Sequence, residues 1–368
     1  MGAKTTVVGD VDSLERGDAP AAELIFGDWY PALRSSELRT GKTKTALLLG
    51  IPLLLGRKKD GTIFAMKDLC PHRGIPLSAG WFDGETVMCK YHGWRFEPCS
   101  GQCKEIPSLT QIDTLDASKI FATSFPCVER DGYAWVYVPE QGVGRASAAG
   151  LPEVPELPKF SAKYRSAHLV ADLPCNVDHG IIGLMDPAHG PFVHQAWWWR
   201  SAASIHEKKK NFEPIPEGFR MAAHAPSGNS APYKLLGVYG EPITTTIDFV
   251  LPNRRYETIR CGAKWFSSLT TVTPVTPTTC RIDVLAAWNV FYNVPFVTSI
   301  ATFFGARFVR QDQETMIEQA QGLRYHPGLM LIDDADKPAK WYFALKQARL
   351  SGSGAHPLSG PVTLHWRS

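Results

Sequence analysis

Between residues 26 and 138 the apolar positions come in short runs broken by turn residues. Phe26-Gly27-Asp28-Trp29-Tyr30 opens this region, and β-rich runs follow at 45–49, 53–57, 62–67, 86–89 and 133–138. Asp60-Gly61 and Asp83-Gly84 fall between such runs, and Asp-Gly pairs in that setting are hairpin signals. The pattern predicts an antiparallel β-sandwich. Residues 1–22 are polar and rich in Ala and Asp without periodicity, which predicts a mobile tail. Residues 139–158 are crowded with Pro, Gly, Ala and Glu, a linker composition. Beyond it, strand-like runs at 244–251, 256–261, 269–273 and 280–288 give way to helical patterns at 297–321 and 337–349. Sheet followed by long helices is an α+β arrangement. The expected division is a tail at 1–22, a first domain at 23–140, a linker at 141–158 and a second domain at 159–368.

Two apolar runs need a membrane test. Residues 46–55 are too few to span and contain Gly50 and Pro52; residues 290–306 include Asn293, Pro295, Thr298, Ser299 and Thr302, and read as a buried or pocket-lining helix. No stretch has the apolar core of a signal peptide, so a cytoplasmic protein is expected. With 39 basic and 36 acidic residues, the net charge of +3 gives no reason to invoke nucleic acid or an anionic surface. Eight cysteines, at 70, 89, 99, 103, 127, 175, 261 and 280, form no short disulfide framework.

Residues 70–94 carry the first chemistry, reading C-P-H-R-G, thirteen residues, then M-C-K-Y-H-G-W. Cys70 with His72 and Cys89 with His92 make two half-sites, each with one thiolate and one imidazole. Tetrahedral zinc accepts that donor set. So does a [2Fe–2S] centre with two Cys on one iron and two His on the other. The mixed pairing, one Cys and one His on each loop, suits the two-iron arrangement better. Here the stretch resembles the fingerprint of the Rieske non-haem iron oxygenases. Arg73, Gly74, Tyr91, Gly93 and Trp94 flank the ligands as in that family, and Gly101, Cys103, Ile106 and Pro107 match its following segment.

A second constellation follows the linker. Asp186, His189 and His194 form D-x2-H-x4-H. Asp186 and His189 are spaced to share a helical face. His189 and His194 would lie about 140° apart on an unbroken helix, so the spacing requires a break, which Gly190-Pro191 is expected to supply. Two imidazoles and a carboxylate with open positions suit mononuclear Fe(II). By resemblance to the family, His189 and His194 are iron ligands. The third is expected in a segment resembling the family's D-x6-Q helix, at Asp312 with Glu314 as runner-up. Asp186 is then the bridge from His189 to His92 of a neighbouring subunit. The family's Asn three or four residues before this Asp is replaced by Gly183 or Ile182, with Asn176, Asp178 and His179 nearby as structural or supporting residues. Asp333, Asp334 and Asp336 read as a solvent-exposed run, and Trp197, Trp198 and Trp199 as pocket cover, subunit contact or core.

The resemblance, covering about residues 26–350, implies a helix-grip second domain and an oxygenase α-subunit assembled as a homotrimer. It implies one [2Fe–2S] cluster, one Fe(2+) and O2 as co-substrate. Electrons would come from a ferredoxin or flavin reductase, with NAD(P)H acting only through it, since no glycine-rich nucleotide loop is present. The expected substrate is a hydrophobic aromatic or steroid-like ring, hydroxylated or oxidatively demethylated. Aromatic cis-dihydroxylation is the alternative, with Arg200 or Arg254 able to pair with an anionic ring. A Rieske electron carrier with a non-catalytic second domain is the alternative of another class.

Overall fold

The computed structural model describes residues 6–8, 20–140, 150–195, 205–226, 233, 236–325 and 327–368. The chain forms two compact units. One is Leu24–Glu156; the other is Leu157–Ser368 together with Met1–Glu23. Trp197, Trp198, Trp199 and Arg200 lie outside the described residues, as do 141–149 of the expected linker and most of the expected tail. Within that tail, β1 (Thr6–Val8) pairs antiparallel with Leu329–Leu331.

The first unit is all antiparallel. After β2 (Asp28–Arg34) come β3 (Lys42–Leu48), β4 (Ile51–Arg57) and β5 (Ile63–Lys67). Four short strands follow, β6 (Trp81–Phe82), β7 (Val87–Met88), β8 (Arg95–Phe96) and β9 (Cys103–Glu105). The unit closes with β10 (Ser124–Phe125), β11 (Cys127–Arg130) and β12 (Tyr133–Val138). Three sheets result, in the orders β10-β5-β4-β3, β11-β12-β2 and β6-β7-β8-β9. Leu49-Gly50 and Asp131-Gly132 have positive φ at both positions, the two-residue turn whose twist matches that of paired strands. One apolar core gathers Tyr30, Leu48, Leu53, Leu55, Ala134 and Val136. A second joins Leu54, Phe64, Met66, Val87 and Phe96 to the buried Cys70 and Cys89, so both cysteines are rooted in packed side chains.

The second unit is built on one eight-stranded antiparallel sheet. Its strands are β13 (Arg165–Leu173), β14 (Glu207–Ile215), β15 (Gly218–His224), β16 (Ile243–Val250), β17 (Arg254–Cys261), β18 (Lys264–Pro274), β19 (Cys280–Trp288) and β21 (Val362–Arg367). Their order is β13-β19-β18-β17-β16-β15-β14-β21. β20 (Leu329–Leu331) pairs with β1 outside this sheet. The strands are rich in β-branched and aromatic residues, which fit a pleated, half-buried surface. Among the described helices of the unit are α1 (Val177–Met185), α2 (Gly190–Val193), α3 (Val297–Leu323) and α4 (Lys337–Ser351). α3 runs over β13, where Gln313 Nε2 donates to the Asp172 carbonyl at 2.8 Å and Gly305 leaves room for Leu169.

The fold is thus the expected α+β pairing of an N-terminal β-domain with a C-terminal sheet-and-helix domain. Two local expectations fail. The 290–306 run is not buried throughout in the single chain: Phe296, Ile300 and Phe303 are exposed. The acidic run is not uniformly solvated either, because Asp336 is half-buried. Its carboxylate accepts from the Ile332 N–H at 2.8 Å at the start of α4. No helix among the described residues is long and apolar enough to cross a membrane.

Candidate metal centres

In the first unit the two half-sites are loops closed by the same pair of main-chain bonds. Cys70 N–H donates to the Ile75 carbonyl and Gly74 N–H to the Cys70 carbonyl, both at 2.8 Å. Cys89 N–H donates to the Trp94 carbonyl at 2.9 Å and Gly93 N–H to the Cys89 carbonyl at 3.0 Å. Gly74 and Gly93 close the turns at φ +70 and +72, a left-handed conformation that glycine adopts at least cost. The loops differ in where the histidine falls, two residues after Cys70 but three after Cys89.

The His72 and His92 rings lie 4.6 Å apart between centroids. Trp94 stacks flat on His72 at 4.5 Å, and Tyr91 lies 3.9 Å from His92. Asp68, buried beneath the first loop, accepts from Ser78 N–H at 2.7 Å and from its hydroxyl at 2.6 Å. Asp83 and Glu105 hold the Arg95 guanidinium beside the second loop at 3.0 and 3.1 Å. Cys70 and Cys89 are buried, whereas His72 is exposed and His92 half-buried. Burial pushes the Cys70 thiol up to about 11, and the neighbouring Cys89 sulfur adds to this; the N–H groups of His72 and Arg73 act the other way. Two inward thiols and two outward imidazoles are the donor set of a cluster with unlike irons.

The second centre forms where α1, α2 and α3 meet. Pro187 forces Asp186 out of helical geometry, to φ −66 and ψ 117, and so ends α1. A new short helix, α2, starts after His189 with Pro191 in its first turn, where the ring is tolerated. The break therefore lies at Asp186-Pro187, before the two histidines, and Gly190-Pro191 begins a helix rather than ending one. Asp186 and His189 consequently do not share a helical face. His189 and His194 flank the two ends of α2.

Their Nε2 atoms approach to 3.2 Å. Asp312, on α3, brings Oδ1 to 3.1 Å from His194 Nε2 and 3.8 Å from His189 Nε2. Bonds of about 2.1 Å put neighbouring ligand atoms about 3 Å apart around an octahedral ion, so this spacing fits a metal. Among the described residues these three form a group whose ligand atoms all lie within 4.8 Å of one another. Glu314 is exposed and paired with Arg310 at 2.9 Å, away from this group.

Two residues around His194 were not legible in the sequence. Gln311 Oε1 sits 3.3 Å from its Nδ1, and the Phe308 ring stacks on it at 3.5 Å between centroids. His189 Nδ1 is held at 2.8 Å by the main-chain carbonyl of Asp186. The Asp186 carboxylate is 3.7 Å from that nitrogen and instead accepts from Ala188 N–H at 2.7 Å. Burial raises the Asp186 carboxyl above its usual range; Ala188 N–H and His189 oppose this and the Asp336 charge adds to it.

A cavity of about 260 Å³ opens beside the trio, touching Asp186, His189 and Asp312 and otherwise lined mostly by apolar side chains such as Leu173, Ile282 and Met316. Arg254, a candidate partner for an anionic ring, is not among its lining residues. It is buried at the start of β17 and donates to the Leu251 carbonyl.

Comparison with known proteins bears on the first centre directly. Residues 28–117 match the family described as Rieske [2Fe-2S] domain. Chlorophyllide a oxygenase of Chlamydomonas reinhardtii is 32% identical over 231 residues, 61% of this chain and 32% of that protein. The oxygenase component of dicamba O-demethylase from Stenotrophomonas maltophilia is 31% identical, over 46% of this chain and 47% of its own. Pheophorbide a oxygenase of Arabidopsis thaliana is 27% identical over 288 residues, 73% of this chain and 49% of that protein. In each alignment the chain spans less than half of the relative. Among solved structures, dicamba monooxygenase bound to dicamba superposes with a TM-score of 0.71 at 21% identity, covering 91% of this chain and all of that one.

Proposed function

Starting from a chain that carries a Rieske [2Fe-2S] domain and shares the fold of dicamba monooxygenase, we propose that it is the terminal oxygenase component of a multicomponent monooxygenase. Cys70, His72, Cys89 and His92 would hold the cluster, and His189, His194 and Asp312 a mononuclear Fe(2+). When bound, the cluster supplies electrons singly and the iron a site for O2. The observation that carries this reading is the convergence of His189, His194 and Asp312 beside an apolar cavity within one unit. An electron carrier needs neither.

The chain's own residues supply orientation. Asp186 fixes the His189 ring through its carbonyl, which leaves Nε2 facing His194 and Asp312. Gln311 and Phe308 hold the His194 ring from behind. The Asp186 carboxylate stays free to accept a hydrogen bond from His92 of a neighbouring subunit, the role the family resemblance gives it in a homotrimer. The cavity lining excludes water and receives the substrate. At about 260 Å³ the cavity is small for a ligand site, where ~300–1,000 Å³ is usual, and this favours a compact aromatic ring over a steroid. The relatives include an O-demethylase oxygenase component, which supports hydroxylation or oxidative demethylation as the reaction. A separate ferredoxin or flavin reductase would deliver the electrons.

The test is metal analysis followed by turnover with a surrogate reductase. About three irons per chain and an O2-dependent product carrying one added oxygen, or formaldehyde release, are expected. Two irons per chain with no O2 consumption across a panel of aromatic ethers would establish a carrier instead.

A further inference from the structure

The sequence offered Asn176, Asp178 and His179 as polar groups near Asp186, and the structure separates them. Asn176 caps α1, accepting from His179 N–H at 3.1 Å and donating to the Pro20 carbonyl at 2.8 Å. Asp178 is bound by the Tyr342 hydroxyl at 2.5 Å and by Lys346 Nζ at 2.7 Å. His179 has no such employment. Its residue is only 6% exposed, its Nδ1 is buried with no hydrogen-bond partner among the described residues, and it lines the cavity beside the metal trio. Gln319 lines the same cavity, and its Oε1 is also buried with no partner among the described residues.

The two groups occupy matching positions. His179 precedes Asp186 by seven residues and Gln319 follows Asp312 by seven, so each is about two helical turns from an acidic residue of the centre. Midway, Gly183 faces Met316, whose Cε would lie 3.4 Å from a Cβ at that glycine. With Gly183 against Met316 and all four of Asp186, Asp312, His179 and Gln319 lining one cavity, an antiparallel run of α1 and α3 would bring both unpartnered groups to the same end of it. At 1.5 Å per residue that end is roughly 10 Å from the acids. The wall between includes Ile182, Met316, Leu173 and Ile282.

We propose that His179 and Gln319 form the polar far end of the substrate cavity, and that they grip an uncharged hydroxyl or carbonyl oxygen on a ring compound whose oxidised carbon lies at the other end. The proposal rests on the oxygenase reading for what occupies the cavity. An imidazole and a carboxamide together offer donors and acceptors, and a buried polar group without a partner is costly unless a ligand supplies one. Burial holds His179 below the ordinary imidazole range against the opposing charge of Asp178. A ring biased towards its neutral form suits an uncharged oxygen better than a carboxylate.

The experiment is calorimetric binding of two probes, 4-methoxybiphenyl and 4-hydroxy-4′-methoxybiphenyl, to the iron-loaded protein without reductant. One additional neutral hydrogen bond predicts about tenfold tighter binding of the hydroxylated probe. His179→Leu and Gln319→Met, on separate helices, should each reduce that preference to about threefold or less with iron content unchanged. Equal behaviour of the two probes towards the wild type, whether both bind or neither, overturns the proposal, as does a preference that survives in both variants. Product formation is assayed separately. A hydroxyl preference without any oxygenated product would sink the oxygenase reading and leave the polar end standing; turnover without the preference would do the reverse.

Discussion

His194 Nε2 and Asp312 Oδ1 stand 3.1 Å apart although His194 closes α2 and Asp312 lies on α3, far apart in the chain. His194 is almost fully buried, and under the proposed function its imidazole and this carboxylate would share one ion. Asp312→Ala should lower iron from about three to about two per chain, leave the cluster's spectrum intact and abolish product. Glu314→Ala, which removes only an exposed pair with Arg310, should keep all three irons. The opposite result would transfer the ligand role to Glu314.

Asp186→Asn preserves size and keeps the main-chain carbonyl that holds His189. Iron content should be unchanged. Turnover should fall by about 10–100-fold or more, as for other groups that orient metal ligands. The decisive measurement is the rate at which the pre-reduced cluster reoxidises when substrate and O2 are added. A wild-type rate would remove Asp186 from the electron path.

Gly74 and Gly93 occupy equivalent turns but have different neighbours. A Cβ at Gly74 meets open space, whereas one at Gly93 would lie 3.0 Å from Pro107 Cγ. Both substitutions to Ala carry the left-handed cost of about 1–2 kcal/mol, and Gly93→Ala also displaces Pro107. Thermal bleaching of the cluster should therefore occur at a lower temperature in Gly93→Ala than in Gly74→Ala. Equal midpoints would mean the contact with Pro107 is relaxed without cost.

Asp178 and Lys346 tie α1 to α4 by an ion pair with two contacts, at 2.7 and 2.8 Å, whose lysine is buried and whose carboxylate is partly exposed. Removing one partner strands the other, and such changes cost about 3–5 kcal/mol. Lys346→Met should destabilise the second unit by that order in denaturant unfolding. Tyr342→Phe, which removes one hydrogen bond to the same carboxylate, should cost about 1 kcal/mol.

The cluster loops were legible because their chemistry is local: cysteine, histidine and a turn glycine within a few residues of one another. The strands were legible for the same reason, since Cys280–Trp288, a strand-like run in the sequence, pairs along its whole length. What escaped had both local and tertiary causes. The Asp186-Pro187 break overrode the more conspicuous Gly190-Pro191 because the residue before a proline is itself excluded from the helix. Asp336 looked solvated because its partner, the Ile332 N–H, is a main-chain group that sequence does not display. Gln311 and Phe308 gave no signal as individual residues; their role appears only once α3 lies beside α2.

The position of Asp312 has a consequence for the folding of the second unit. Gln311, the residue just before it, is 117 positions from His194, so an ion joining His189 and His194 to Asp312 would act as a cross-link closing a very long loop. Loop-closure entropy grows only slowly with length. An insertion anywhere in the sheet between the two ligand segments would thus leave the ion's contribution nearly unchanged, while a single residue added between His189 and His194 would remove it. The loops between the intervening strands could therefore change length without altering what an ion bound there contributes.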